Sequence, residues 1–159
     1  MTKEQIQELT LRTSQANHSG LILVLSDMVH IYMSDAIEAY SLGSAEPFEK
    51  NVEMARRSTN ELISCFDRRD PLGYRVSSIL RFVYQKLNNS VLIGAPDELD
   101  RCLKIVDNLK VGLEHLHEID TEGPVMKNTH QVYAGLTYGK GTLNESVQGV
   151  DYSTRGYKA

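Results

Sequence analysis

Apolar residues recur at spacings of three and four, and hence of seven, along four stretches of this chain. In the first, Ile22, Val29 and Ala36 interleave with Leu25, Tyr32 and Ala39. In the second, Phe48, Ala55 and Leu62 interleave with Val52, Thr59 and Phe66. The third pairs Val76 and Val83 with Leu80 and Leu87, and the fourth sets Leu99, Val106 and Leu113 against Cys102, Leu109 and Leu116. A helix returns to the same face about every 3.6 residues, so each series predicts one apolar seam on one helix. The run from Leu21 to Leu25 would by itself suit a buried strand. The spacing continues to Tyr40, and strands rarely exceed about ten residues, which decides for helix.

The punctuation between these stretches agrees. Asn17 or Ser19 can cap the first helix through a side-chain oxygen. Pro47 suits the first turn of the second, where a missing N–H is harmless. Pro71 and Gly73 part the second helix from the third, and Gly94, Ala95 and Pro96 part the third from the fourth. Asp97 and Glu98 then place negative charge at the positive end of the fourth helix, and Gly123–Pro124 closes it. The expected helices run over about 19–41, 47–67, 73–93 and 97–119. With short connections they predict an all-α fold, an antiparallel up-down-up-down four-helix bundle within a domain of residues 1–123. A weaker helical pattern from Thr2 to Ala16 precedes it, with a capping box expected between Thr2 and Gln5. The segment 124–159 is rich in glycine and tyrosine, and is expected to be an irregular tail packed on the bundle or on a neighbouring copy.

The first and third helices carry more apolar surface than one seam uses. If Leu21, Leu25, Val29, Tyr32 and Ala36 form the core stripe of the first, Val24 and Ile31 fall on a second line, with Leu23 also outside the stripe. On the third, Phe82 and Ile93 lie off the stripe and Ile79 edges it. Leu23, Val24, Ile31, Ile79, Phe82 and Ile93 are therefore the candidate partner-binding residues. Ordered apolar lines of this kind suit a site that receives an amphipathic helix. The N-terminal segment, the tail, a second copy in a homodimer, or ordinary internal packing would cover them equally well.

Composition narrows the function. A chain of 159 residues points to one domain with a core of useful size. With 17 basic against 21 acidic residues there is no basic excess to coat phosphates, so no nucleic-acid partner is expected. Cys65 and Cys102 sit in helical patterns and are expected to be buried free thiols. There is no apolar signal core near the start and no apolar run approaching membrane-spanning length, so a cytoplasmic protein without membrane insertion is expected.

Candidate chemistry is sparse. Asp27-x-x-His30 and Glu114-x-x-His117 have the form of bundle metal motifs, but Pro71 to Pro96 supplies no carboxylate, and Asp27 and His30 lie far from their seam. They are expected to be surface residues. Ala134 to Thr142 approaches a phosphate loop, yet Ala134 replaces its first glycine and Gly141 its hydroxyl residue. No nucleophile has an assignable base. The chain is expected not to be an enzyme, and to use no cofactor or metal.

In their order and spacing the motifs resemble the flagellar export chaperone family (FliS). Leu21, Ile22, Val24, Leu25 and Asp27 fall in step with the family's A-S-P-x-E-L-I-x-M-L-Y-D pattern. Ala55, Glu61, Leu62 and Asp67 fit K-A-x-x-I-I-x-E-L-x-x-x-L-D, and Leu80, Tyr84, Leu92 and Ala95 fit L-x-x-L-Y-x-Y-x-x-x-x-L-x-x-A. The match covers roughly residues 15 to 118. Ser26 stands where the family has tyrosine, and the proline before the first helix and the late tryptophan are missing. The resemblance implies a chaperone that binds the disordered C-terminal segment of flagellin, blocks premature polymerisation and delivers it for secretion. It further implies an export-gate component and flagellar regulators as partners. The alternative is a helical adaptor or regulatory bundle that binds another amphipathic segment or itself.

Overall fold

The computed structural model describes residues 1–126, and they form an all-helical structure. Its helices are α1 (Lys3–Gln15), α2 (His18–Ser41), α3 (Ala45–Ser64), α4 (Pro71–Ile93) and α5 (Leu99–Ile119). The expected docking of the tail and the loop from Ala134 to Thr142 lie outside the described residues.

Local chemistry sets each boundary. The Gln5 N–H donates to Thr2 Oγ1 at 3.2 Å and the Thr2 N–H donates to Gln5 Oε1 at 2.7 Å, so α1 opens on the expected capping box. Of the two candidate caps for α2, Asn17 takes the role, its Oδ1 accepting from the Gly20 N–H at 2.9 Å. Helix α3 ends at Ser64 rather than Asp67, because the Asp67 carboxylate instead accepts the backbone N–H of Arg69 and shapes the turn. Helix α4 starts at Pro71, two residues before the expected Gly73, since Asp70 caps it by accepting the Gly73 N–H at 2.7 Å. Gly94, with φ of 64°, ends α4 in the left-handed region that glycine tolerates. Asp97 and Glu98 stand just before α5 rather than in its first turn.

Helix α2 packs on α3 and α5, α3 on α4, and α4 on α5, while α1 lies against α2. The α4–α5 contact is much smaller than those of α2 with α3 or of α3 with α4. The seams become the core: Ile22, Val29, Ala36, Phe48, Val52, Leu62, Leu80, Val83, Leu87, Leu99 and Val106 are all buried in one cluster. On α2 the buried stripe is turned from the expected one. Ile22, Ser26, Val29, Met33 and Ala36 face inward, whereas Leu21, Leu25 and Tyr32 are half-buried. The Ser26 hydroxyl enters this stripe because it donates to the Ile22 carbonyl at 2.9 Å.

By length and composition α2 is long and apolar enough to cross a membrane, with a mean hydropathy of 1.4 over its most apolar window, contrary to the sequence expectation. Its position accounts for this. A helix contacted by α1, α3 and α5 has to be apolar around most of its circumference.

Candidate functional site

Val24 and Ile31 of the second apolar line of α2 lie on the side where α1 packs, whereas Leu23, expected outside the core stripe, belongs to the core cluster. Val24 is 4% exposed and Leu23 is 7% exposed, and Ile31 is half-buried. Leu23 and Val24 border a cleft with Arg12, Gln15 and Ala16, while Ile31 borders a second with Gln5, Glu8 and Leu9. The two helices are joined by charge. Arg12 Nη1 lies 2.6 Å from one oxygen of Asp27, and Lys110 Nζ of α5 lies 2.5 Å from the other. Asp27, expected at the surface, is buried between these cations. A buried carboxylate needs such compensation, and a helix facing two neighbours supplies it.

The other residues of the two expected metal motifs also have separate partners. His30 Nδ1 sits 2.7 Å from Asp107, and His117 Nδ1 sits 2.7 Å from the Ser19 hydroxyl. Glu114 lies 3.8 Å from Lys110. The motifs therefore do not converge on one point. Cys102 is sealed in the core, and burial pushes its thiol up to about 11.

The α4 line is open in part. Ile79 is 40% exposed and Ile93, at the helix end, is 63% exposed. Phe82 is half-buried, with Lys86 and Arg101 each 5.8 Å from its ring centroid. Lys86 also reaches Asp97 at 3.1 Å and Glu98 at 2.6 Å, which ties α4 to the start of α5. The backbones of α2 and α4 do not come close among the described residues, and the residues predicted on them, Leu23, Val24 and Ile31 against Ile79, Phe82 and Ile93, line no common cleft.

A different groove lies at the opposite end of the α4–α5 pair. There the core seam runs on beyond the point where neighbouring helices close over it. Ile22, Val76, Leu109 and Leu113 form its base, and Phe66, Leu72 and Leu116 its walls. Its volume is about 540 Å³. Leu116, the last seam residue of α5, is 42% exposed, and Leu72 is 55% exposed. Cys65 stands on the edge, its thiol raised first by burial and then by Glu61. Asp67 and Asp70 mark the lip at the α3–α4 turn. Arg69 donates to Asp67 at 2.8 Å and holds that carboxyl below its usual range.

The sequence named Phe66, Leu109 and Leu116 as seam residues, so its apolar signal included this groove. Periodicity places residues on a face but does not say whether a neighbouring helix reaches that face. The contact between α4 and α5 is the smaller one, and the described residues do not close over this end.

No family model, curated protein or solved structure matches the chain.

Proposed function

We propose that this protein is a non-enzymatic helical chaperone whose open groove receives an amphipathic segment that folds on binding. We read α2 to α5 as an antiparallel up-down-up-down four-helix bundle, with α1 strapped along its outside. The observation that carries the reading is the end of the core seam that the described residues leave unclosed, an apolar groove of about 540 Å³ between α4 and α5. Burial of apolar side chains there supplies the free energy needed to order a disordered segment. The resemblance of residues 15 to 118 to flagellar export chaperones supports the C-terminal segment of flagellin as that partner, and the cytoplasm as the place of action. Export-gate and flagellar regulatory partners follow from the resemblance alone.

The test is co-expression with the flagellin of the same cell, followed by size exclusion and calorimetry of the purified complex. A 1:1 complex in which Cys65 is protected from alkylation supports the proposal. Separate elution, with no heat of mixing between the concentrated proteins, refutes it. Binding to other amphipathic helices but not to flagellin would favour the adaptor reading.

A further inference from the structure

The groove lining holds Asp67 and Asp70 beside two histidines, His18 and His115. Both carboxylates already have partners. Arg69 holds Asp67 at 2.8 Å, and Asp70 accepts the Gly73 N–H at 2.7 Å as the cap of α4. Each imidazole donates an N–H in either protonation state. His18 has no carboxylate within ion-pair distance among the described residues, and His115 has Glu118 at 3.6 Å.

The charge that continues from the groove along α4 is one-sided. Leu72, Arg75, Ile79, Phe82 and Lys86 follow one another at spacings of three and four, so they share one line of that helix. Contacts turn the line toward α5: Leu72 lines the groove with Leu116, and the Arg101 guanidinium lies 5.8 Å from the Phe82 ring centroid. Residues 71–96 contain no aspartate or glutamate. Lys86, at the far end, is taken up by Asp97 and Glu98. Arg75 is exposed one turn from Leu72, and no carboxylate stands within ion-pair distance of it among the described residues. The carboxylates of α5 do not answer it. Asp100, Asp107 and Glu114 repeat by seven on the side of α5 that meets α2, where Asp107 pairs with His30 and Glu114 stands 3.8 Å from Lys110. Glu118 follows one turn on.

We infer that the groove, continued along α4 to Arg75, takes an acidic amphipathic helix. Its large aliphatic side chains enter between Leu72 and Leu116, and a carboxylate one turn away meets Arg75. This inference rests on the groove reading proposed above, and it adds the sign of the charge that selects the partner. An anionic membrane surface shares that charge. One unpaired arginine on this line, in a chain of net charge -4, gives such a surface little attraction, which favours a protein segment.

The test probes the full chain with two synthetic amphipathic helices, read by calorimetry and by the rate of Cys65 alkylation. The peptides share one leucine stripe and carry either glutamate or lysine beside it. The glutamate peptide should protect Cys65 and bind about tenfold tighter than the lysine peptide at low salt, with the gap narrowing at high salt. Arg75→Glu should keep the wild-type thermal midpoint, because the side chain is exposed and unpaired. It should lower affinity for the glutamate peptide about fivefold and raise that for the lysine peptide. Lys50→Glu, the same change of charge on an exposed position of α3, should shift either affinity by no more than about twofold. Should Arg75→Glu fail to fold, Arg75→Gln decides, and wild-type affinity in it overturns the inference. Equal binding of the two peptides, or full affinity for the glutamate peptide in Arg75→Glu, also overturns it. Binding to anionic phospholipid vesicles but not to the glutamate peptide overturns it in favour of a membrane surface. In each of these cases the groove reading stands if the flagellin segment protects Cys65. If neither peptide nor the flagellin segment protects Cys65, the groove reading fails and the inference fails with it.

Discussion

Arg12 and Asp27 meet at 2.6 Å across the α1–α2 contact, directly beside the apolar residues that α1 covers. Of the residues in α1, only Leu9 and Ser14 are buried, so little apolar area holds this helix. The Arg12–Asp27 pair and the pair of the Met1 amine with Asp35 therefore share its attachment, and Lys110 holds the other oxygen of Asp27. Arg12→Ala should raise amide hydrogen exchange across α1 about tenfold and leave α3 and α4 unchanged. Asp27→Ala should destabilise the fold by about 1–3 kcal/mol, since it strands two partly buried cations. Wild-type exchange rates in α1 of Arg12→Ala would show that other contacts hold it.

The two thiols should differ sharply in reactivity. Cys102 is fully buried with a pKa of about 11, so at pH 8 its thiolate is roughly a thousandth of the population and shielded as well. Cys65 is only half-buried. In native protein an alkylating reagent should modify Cys65 slowly, faster as pH rises, and leave Cys102 untouched. Denaturant should release both. Equal native rates at the two sites would mean that the first half of α5 opens readily.

The link between Lys86 and Glu98 should make the α4–α5 turn sensitive to pH. Hydrogen bonds from Lys86 first, then Arg101, lower the Glu98 carboxyl below its ordinary 4.5. Its contribution is present above 4.5 and lost as pH falls through the lowered value. Hydrogen bonds to Glu98 first, then Asp97, raise Lys86 above 10.5, so its contribution is present below 10.5 and lost as pH rises through the raised value. Both therefore act between 4.5 and 10.5. Glu98→Gln should flatten the acid limb of a stability–pH profile, and an unchanged profile would refute the assignment.

Ser77 presents the opposite case, a buried hydroxyl with no hydrogen-bond partner among the described residues. Ser77→Ala removes an unsatisfied polar group and improves helix propensity. It should therefore raise stability by about 0.5–1.5 kcal/mol in chemical denaturation. A loss of more than about 1 kcal/mol would mean that the hydroxyl has a partner after all.

The helices were legible because seam, caps and breakers all pointed the same way. Thr2 with Gln5, Asn17 and Gly94 each do locally what their residue type predicts. The facing of α2 was less legible, because apolar residues surround it and a wheel cannot choose among several apolar faces. The small Ser26, which satisfies its own hydroxyl, belongs to the buried stripe, while the larger Leu25 is half-buried. Pairing of Asp27 with Arg12 and Lys110 joins residues far apart in sequence, so no local pattern records it. The groove escaped for a related reason. Leu109 and Leu116 continue the α5 seam without a break, and only the separation of α4 from α5 exposes the second.

Groove and core should separate under one and the same substitution. Leu72 and Leu116 are 55% and 42% exposed on the groove walls, so aspartate there keeps its hydration. Leu72→Asp and Leu116→Asp should fold, with stability within about 1 kcal/mol of wild type. They should lose binding of the flagellin segment, because a charge now faces its apolar side. Leu87 is fully buried in the core, and an unpaired charge there costs several kcal/mol against a total stability of about 5–15 kcal/mol. Leu87→Asp should therefore unfold the chain. Val24→Asp offers a third outcome, because Val24 is buried near α1 rather than within the main core cluster. It should release α1, seen as faster amide exchange there, while circular dichroism keeps the signal of the other helices. The measurements are helicity, thermal midpoint and calorimetry on the same four variants. Full affinity in both Leu72→Asp and Leu116→Asp would place the binding surface elsewhere, and the exposed Ile79 and Ile93 of α4 would be the next residues to change.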